Sequence, residues 1–160
     1  MNIFVLDLNP IKAARYHNDR HCVKMILETT QLLSSALPYL EKGRTGPYKT
    51  THLNHPCSLW TRRCRGNYHW LWKLGIALCD EYTHRYERIH KCQSYLGDLI
   101  LSKPLSRRLT PFAQAMPEQY RDIDVIKAYR AYYLGEKRSL AKWTKRQIPS
   151  WWTEAYKKSE

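Results

Sequence analysis

His17, His21, Lys24, Glu28 and Gln31 follow one another at spacings of four, three, four and three. On one α-helix, at about 100° per residue, all five fall within about 80° of arc. Two imidazoles, an ammonium and a carboxylate on one face are the parts of acid–base catalysis, because histidine titrates near neutral pH and a carboxylate can orient it. Cys22, Val23, Ile26, Leu33 and Leu37 fall on the opposite face, which is therefore expected to be the buried one. Every amphipathic helix also has a solvated polar face, so a plain charged surface is the alternative. His17-x-x-x-His21 has the spacing of a helical metal pair, which His55 or Glu28 would complete. No second spaced pair accompanies it, and neither a metal nor another cofactor is expected.

Three further groups could meet an anionic substrate. Asn54-His55-Pro56 can present fixed donors at the mouth of a site, or simply make the turn into a helix. Arg62, Arg63 and Arg65 follow it, and guanidinium forks suit phosphate oxygens. Arg130 stands among Tyr129, Tyr132 and Tyr133, where one tyrosine is expected in the core and the arginine is free to reach a phosphate.

The charge of the chain points the same way. Its 160 residues carry 27 Lys plus Arg against 14 Asp plus Glu, a formal net charge of +13. Between Lys42 and Cys79 there is no carboxylate, and a second acid-free block, Lys137 to Arg146, holds Lys137, Arg138, Lys142, Lys145 and Arg146. Such fields attract polyanions, and the tryptophans and tyrosines beside them suit unstacked bases. Arg65 and the second block are the expected DNA-binding set. With 43% hydrophobic residues the chain is not disordered, and no apolar run approaches the roughly 18 residues of a membrane span. The opening MNIFVLDLNP lacks the basic flank of a signal peptide. Five cysteines, odd in number and without a C-x-x-C pair, read as free thiols in a reducing cytoplasm. No Gly-rich phosphate loop, G-x-S-x-G or zinc-deaminase pattern is present.

The elements that must position these residues read as one mainly α domain over residues 1–160, compact and most simply a monomer. Ile3 to Leu8 is the only plausible strand. Asn9-Pro10 then signals a helix start, and helical periodicity runs to about Leu37, with a possible break at Asn18-Asp19 where Asp19 could cap afresh. Pro38 and the segment from Lys42 to Pro56 read as loop. A second long helix is expected over about Ser58 to His90, with Tyr68, Leu71, Gly75, Leu78 and Tyr82 as its buried stripe. Lys103 to Pro117, with three prolines, reads as loop. A third helix is expected over about Asp122 to Leu134, and a shorter one from Arg138 that Pro149 ends.

The opening NIFVLDLNPIKAARYHNDRHCVKMILETTQLL, the NHP turn at Asn54 to Pro56 and the ending IPSWWTEAY resemble the pyrimidine-dimer DNA glycosylase (endonuclease V) superfamily. More closely, YHNDRHCVKMILE, NHPCSLW, NYHWLWKLG, EYTHRY, AMPEQY and AYRAYYLGEK resemble a set of small phage proteins associated with thymine hypermodification, over nearly the whole chain. That resemblance implies a glycosylase-like, base-flipping scaffold in a phage-encoded protein of the host cytoplasm. It implies double-stranded DNA with a modified pyrimidine as one partner and a free amino acid as the other. The reaction would join the amino acid to an activated 5-hydroxymethyluracil. Arg62, Arg63 and Lys24 would then hold the departing pyrophosphate, His21 or His17 would deprotonate the amine, and Glu28 would orient the imidazole. Asp19, Asn54, His55, Asn67 and Arg130 complete the expected substrate-binding set.

Base excision and a non-catalytic DNA-binding role are the alternatives. The resembled glycosylases expose an N-terminal amine by removing Met1 and form a Schiff base with it. Removal of methionine needs a small second residue, and Asn2 is not small. The amine is then expected one residue too far out. The glutamate of that superfamily aligns near Val23 or Lys24, with Glu28 one turn later. Both departures set the expectation against glycosylase and lyase chemistry.

Overall fold

The computed structural model describes residues 1–103 and 106–157. Among these the fold is all-helical, with seven α-helices: α1 Pro10–Tyr16, α2 Asp19–Leu40, α3 Pro56–Arg63, α4 Arg65–Tyr86, α5 Cys92–Asp98, α6 Val125–Glu136 and α7 Ser150–Lys157. Helix α2 packs along α4, with α1 laid against α4 and α3 against both. Leu32, Leu33 and Leu37 of α2 meet Leu71, Leu74 and Leu78 of α4 in the core. Each such leucine removed from water contributes about 1.5–3 kcal/mol.

The expected strand is absent. Ile3 to Leu6 is a buried segment threaded through the core, turning where Leu6 N donates to Phe4 O at 3.0 Å, and it pairs with no second strand among the described residues. Side chains take its carbonyls instead: Arg130 Nε donates to Leu6 O at 3.1 Å and Trp70 Nε1 to Leu8 O at 2.8 Å. A buried backbone must be paired, and here a guanidinium and an indole do what a neighbouring strand would do.

The first helical stretch does break where Asn18-Asp19 suggested. The cap is Asn18, whose Oδ1 accepts from the His21 N–H at 2.9 Å, and Asp19 is the first helical residue. Helix α2 then runs through Pro38 to Leu40, two residues beyond the proline. The second long helix is two. Cys64 is extended (φ −158°, ψ 161°), and α3 and α4 meet there at an angle. Tyr86 ends α4, four residues short of His90, and Glu87 follows in a left-handed conformation (φ 54°). Pro149 does not close a helix but precedes one, α7. Of the three prolines in the expected 103–117 loop, Pro104 lies outside the described residues. Pro111 and Pro117 are in non-helical chain, as expected.

A buried ion network ties the ends together. Arg85, fully enclosed, donates from Nη1 to His17 O (2.9 Å) and Asp19 Oδ1 (3.0 Å) and from Nη2 to Arg15 O (3.1 Å). Its neighbour Glu81 accepts from Arg146 Nε at 2.6 Å, and Asp19 accepts from Thr144 N and Oγ1. A buried arginine is tolerable only when every nearby carboxylate and carbonyl is aimed at it. This one locks the α1–α2 corner, α4 and the 142–146 segment into one body.

Candidate active site

The most enclosed juxtaposition of unlike charges outside that network lies at the start of the chain. The Met1 amine sits 3.7 Å from Glu28 Oε2, with side chains 5% and 11% exposed, and the Asn2 N–H donates to the same oxygen at 3.1 Å. Glu28 is midway along α2, so a rigid helix holds the carboxylate. Lys24, one turn earlier, reaches Glu28 Oε1 at 3.4 Å and is itself exposed. Asn2 fixes the terminus: its Nδ2 donates to Ala115 O at 2.8 Å, and its Oδ1 accepts from Tyr129 Oη at 3.1 Å and from its neighbour Ile3 N at 2.8 Å. The Cys57 thiol lies 3.7 Å from the same Oδ1, and burial pushes that thiol up to about 12. Burial, and next to it the positive charge of the amine, lower the His55 pKa. An amine and a carboxylate in contact, with a polar rim, can form a carbon–nitrogen bond and move the proton that bond formation releases.

The amine on Met1 is therefore not displaced from the carboxylate. Glu28 serves the amine on Met1 and the backbone nitrogen of Asn2 alike. Glu28, one helical turn after Val23 and Lys24, is the carboxylate that the fold brings to the terminus.

The histidines are corrected more severely. His17 caps the end of α1 rather than riding on α2, and it is wholly buried. His21 is buried as well, stacked on Phe4 at 4.4 Å between ring centres and hydrogen-bonded through Nδ1 to Tyr133 Oη at 2.7 Å. Burial holds His17 down to about 4 and His21 to about 3, so both are neutral and closed to solvent. They cannot be general bases poised at neutral pH. His17 and His21 form a structural seam against Phe4 and Tyr133, while Glu28 meets the terminus, Lys24 stays exposed, and Val23, expected in the core, is exposed too.

Several expected substrate and DNA contacts are spent inside the fold. Asn67 is buried, giving Nδ2 to Trp60 O and Thr110 Oγ1 and accepting from Thr110 N. Asp19 belongs to the Arg85 network. Arg65 donates to Glu41 Oε1 (3.1 Å) and Leu40 O (2.9 Å), and Arg44 pairs with the same carboxylate. Burial alone would raise the Glu41 pKa, but hydrogen bonds from Arg44, Ser102 and Arg65 bring it to about 2. Arg146 is committed to Glu81, whereas Lys145 pairs with Glu87 at 3.0 Å on the surface and stays exposed. Arg130 lies between the Tyr16 and Trp151 rings and pairs with Asp7 at 3.8 Å. His55 caps α3, its Nδ1 accepting from Cys57 N at 3.1 Å, and exposed Asn54 precedes it. Arg62 stacks on Tyr39 and donates to Leu53 O at 2.7 Å.

What remains outward is a smaller basic set. Lys24 is exposed beside Glu28, Arg63 is exposed at the end of α3, and Arg138 and Lys142 are exposed farther along the chain, with Lys137 half-buried over Tyr132. Sequence reasoning weighed the Met1 amine and set it aside as misplaced, and no motif singles out Asn2 or Tyr129 as its supports. Only the threading of the first segment past α2 and α6 brings them to Glu28.

Residues 1–94 match the pyrimidine dimer DNA glycosylase family, a span that contains the amine, Glu28 and the His55 turn. No curated protein and no solved structure matches the chain. With more than half its length matched, this DNA-acting, glycosylase-like protein belongs to the pyrimidine dimer DNA glycosylase family.

Proposed function

We propose that the protein removes a damaged or modified pyrimidine from duplex DNA and then opens the strand, with the N-terminal amine as nucleophile and Glu28 as the proton-transfer group. The observation that carries this reading is the 3.7 Å approach of the Met1 amine to Glu28 Oε2, with both side chains largely buried. As a class, α-amines titrate well below lysine ammonium groups, so they supply a neutral nucleophile more readily near neutral pH.

The amine nitrogen bonds to sugar C1′ as the C1′–N1 bond breaks, and the base leaves with the electron pair and takes up a proton. Glu28 accepts a proton from the attacking nitrogen. Glu28 returns that proton to O4′ as the C1′–O4′ bond opens with its electron pair on oxygen, and the nitrogen lone pair turns the adduct into a protonated imine. Loss of a C2′ proton then breaks the C3′–O bond and cuts the strand, and water releases the amine from C1′. Lys24, one turn from Glu28, and the exposed Arg63 take flanking phosphates in this reading.

Transfer of an amino acid to an activated 5-hydroxymethyluracil is the second reading. Exposed Lys24 beside Glu28 favours it, since an ammonium there suits a departing pyrophosphate. Its expected bases, His17 and His21, are unreachable. The two are separated by incubating the protein with one duplex carrying a pyrimidine dimer and another carrying pyrophosphorylated 5-hydroxymethyluracil plus free amino acids. Strand cleavage of the first supports excision. An amino-acyl nucleoside from the second, with no cleavage of the first, replaces excision by transfer. Tight binding with neither product makes the chain a DNA-binding protein.

A further inference from the structure

Val23 belongs by its spacing to the apolar face of α2, yet it is 38% exposed. It forms part of the floor of two adjoining depressions of about 460 and 580 Å³, and Tyr86 of α4 lies in both. Tyr82 and Arg88 complete the first depression. Asp19, Arg20, Lys24, Lys142 and Thr144 line the second. Together they make one open groove with an aliphatic and aromatic floor and a basic rim.

The walls of this groove are fixed. At one end the Asp19 N–H donates to Lys142 O at 2.8 Å, and the Asp19 carboxylate accepts from Thr144 N at 2.8 Å and Thr144 Oγ1 at 2.6 Å. The 142–144 segment is thereby fastened to the start of α2. At the other end Thr83 Oγ1 donates to Arg88 O at 3.0 Å, which holds the chain just past α4. The Tyr82 and Tyr86 rings pack on each other with centres 5.1 Å apart. The carboxylates there are already engaged, Asp19 by Arg85 and Thr144 and Glu87 by Lys145. Arg20, Arg88 and Lys142 are exposed and form no ion pair among the described residues. Lys24 joins the groove to the active site, since it lines the second depression and stands 3.4 Å from Glu28 Oε1.

We propose that this groove binds unpaired DNA, with bases laid on Tyr86, Tyr82 and Val23 and phosphates against Arg20, Arg88 and Lys142. A duplex offers a basic surface only its phosphates, because its base faces are stacked away, and the apolar floor would go unused. A single strand offers both, and a chain of net charge +13 attracts it. Every base has a flat face to stack, so the groove is expected to be indifferent to sequence. Lys24 places the unpaired strand one helical turn from Glu28, so this segment adjoins the duplex at a gap or frayed end. The binding itself needs no step of the excision chemistry above.

The test measures binding by the full chain to three labelled probes of equal length: single-stranded oligothymidylate, the same backbone with its bases removed, and a blunt duplex. Wild type is expected to hold oligothymidylate at least about fivefold more tightly than the base-free strand. Tyr86→Ala should erase that difference by weakening the oligothymidylate complex, with the base-free and duplex complexes within about twofold of wild type. Tyr86→Phe should keep the difference, and Arg88→Ala should weaken both single strands alike. A melting curve accompanies each variant. If Tyr86→Ala does not fold, ultraviolet crosslinking of wild type to a 5-iodouracil strand decides, with adducts expected on the peptide that carries Tyr82 and Tyr86. Equal wild-type affinity for the two single strands, equal losses on both in folded Tyr86→Ala, or crosslinks confined to other peptides would each overturn the proposal. Displacement of oligothymidylate by an equal concentration of a glutamate-rich peptide would assign the groove to an acidic protein instead. No cleavage enters these measurements, so failure of excision leaves their result intact, and failure of the groove leaves excision intact.

Discussion

The backbone nitrogen of Asn2 lies 3.1 Å from Glu28 Oε2, across 26 residues of sequence. One carboxylate on the middle of α2 therefore faces the first two nitrogens of the chain, since the Met1 amine is 3.7 Å from the same oxygen. If Met1 is removed, the new amine is the nitrogen already in contact; if Met1 stays, its amine is the neighbour. Either way an amine–carboxylate pair is present at the site.

Glu28→Gln separates chemistry from support. The amide keeps an oxygen for the Asn2 N–H but cannot take a proton. Turnover is expected to fall about 10²–10⁴-fold. Melting temperature and DNA affinity should stay near wild type, because the hydrogen bond and the basic surface remain. Rates on a cleavable duplex, a melting curve and a binding isotherm check this together.

The buried histidines set the acid limb of stability. Burial holds His17 at about 4 and His21 at about 3, against 6.5 for an exposed imidazole. Below about pH 6.5 the unfolded chain takes up protons that the folded chain refuses. Stability then falls by up to about 1.4 kcal/mol per pH unit for each histidine, and this loss levels only near pH 3–4. Melting temperatures between pH 8 and pH 4.5 should drop accordingly, and His21→Gln should make the slope shallower.

How much of this was legible depended on whether a neighbour in sequence was also a neighbour in space. Asn9-Pro10 and Asn18 act within their own helical turns, so their signals were readable. The His17–Glu28 stripe was seen as a pattern but its face was misjudged. Periodicity reports which residues share a face, and the threading of Ile3 to Leu6 past α2 decides that both faces near His21 are covered. The same long-range packing hid the site. Met1 and Asn2 carry no motif, and the arginines that looked outward, Arg65 and Arg146, find Glu41 and Glu81 from other elements. The break at Cys64 gave no signal either, having no proline or cap.

Gly66 provides a stability test of that hidden corner. A glycine inside a helix is ordinarily improved by alanine, by about 1 kcal/mol. Here a Cβ would stand 1.9 Å from Arg108 O, so backbone must move. Gly66→Ala is expected to destabilise by about 3 kcal/mol, lowering the melting temperature by roughly 5–10 °C. An unchanged or raised melting temperature would show that the 106–110 segment does not lie on α4.

Borohydride trapping on DNA with an abasic site, followed by peptide mapping of the adduct, tests the central claim most directly. The account predicts a reduced covalent complex whose sugar is attached at the α-nitrogen of the N-terminal residue, abolished when that amine is methylated beforehand. No complex from well-folded, DNA-binding protein, or a complex attached at a lysine such as Lys24, would contradict it.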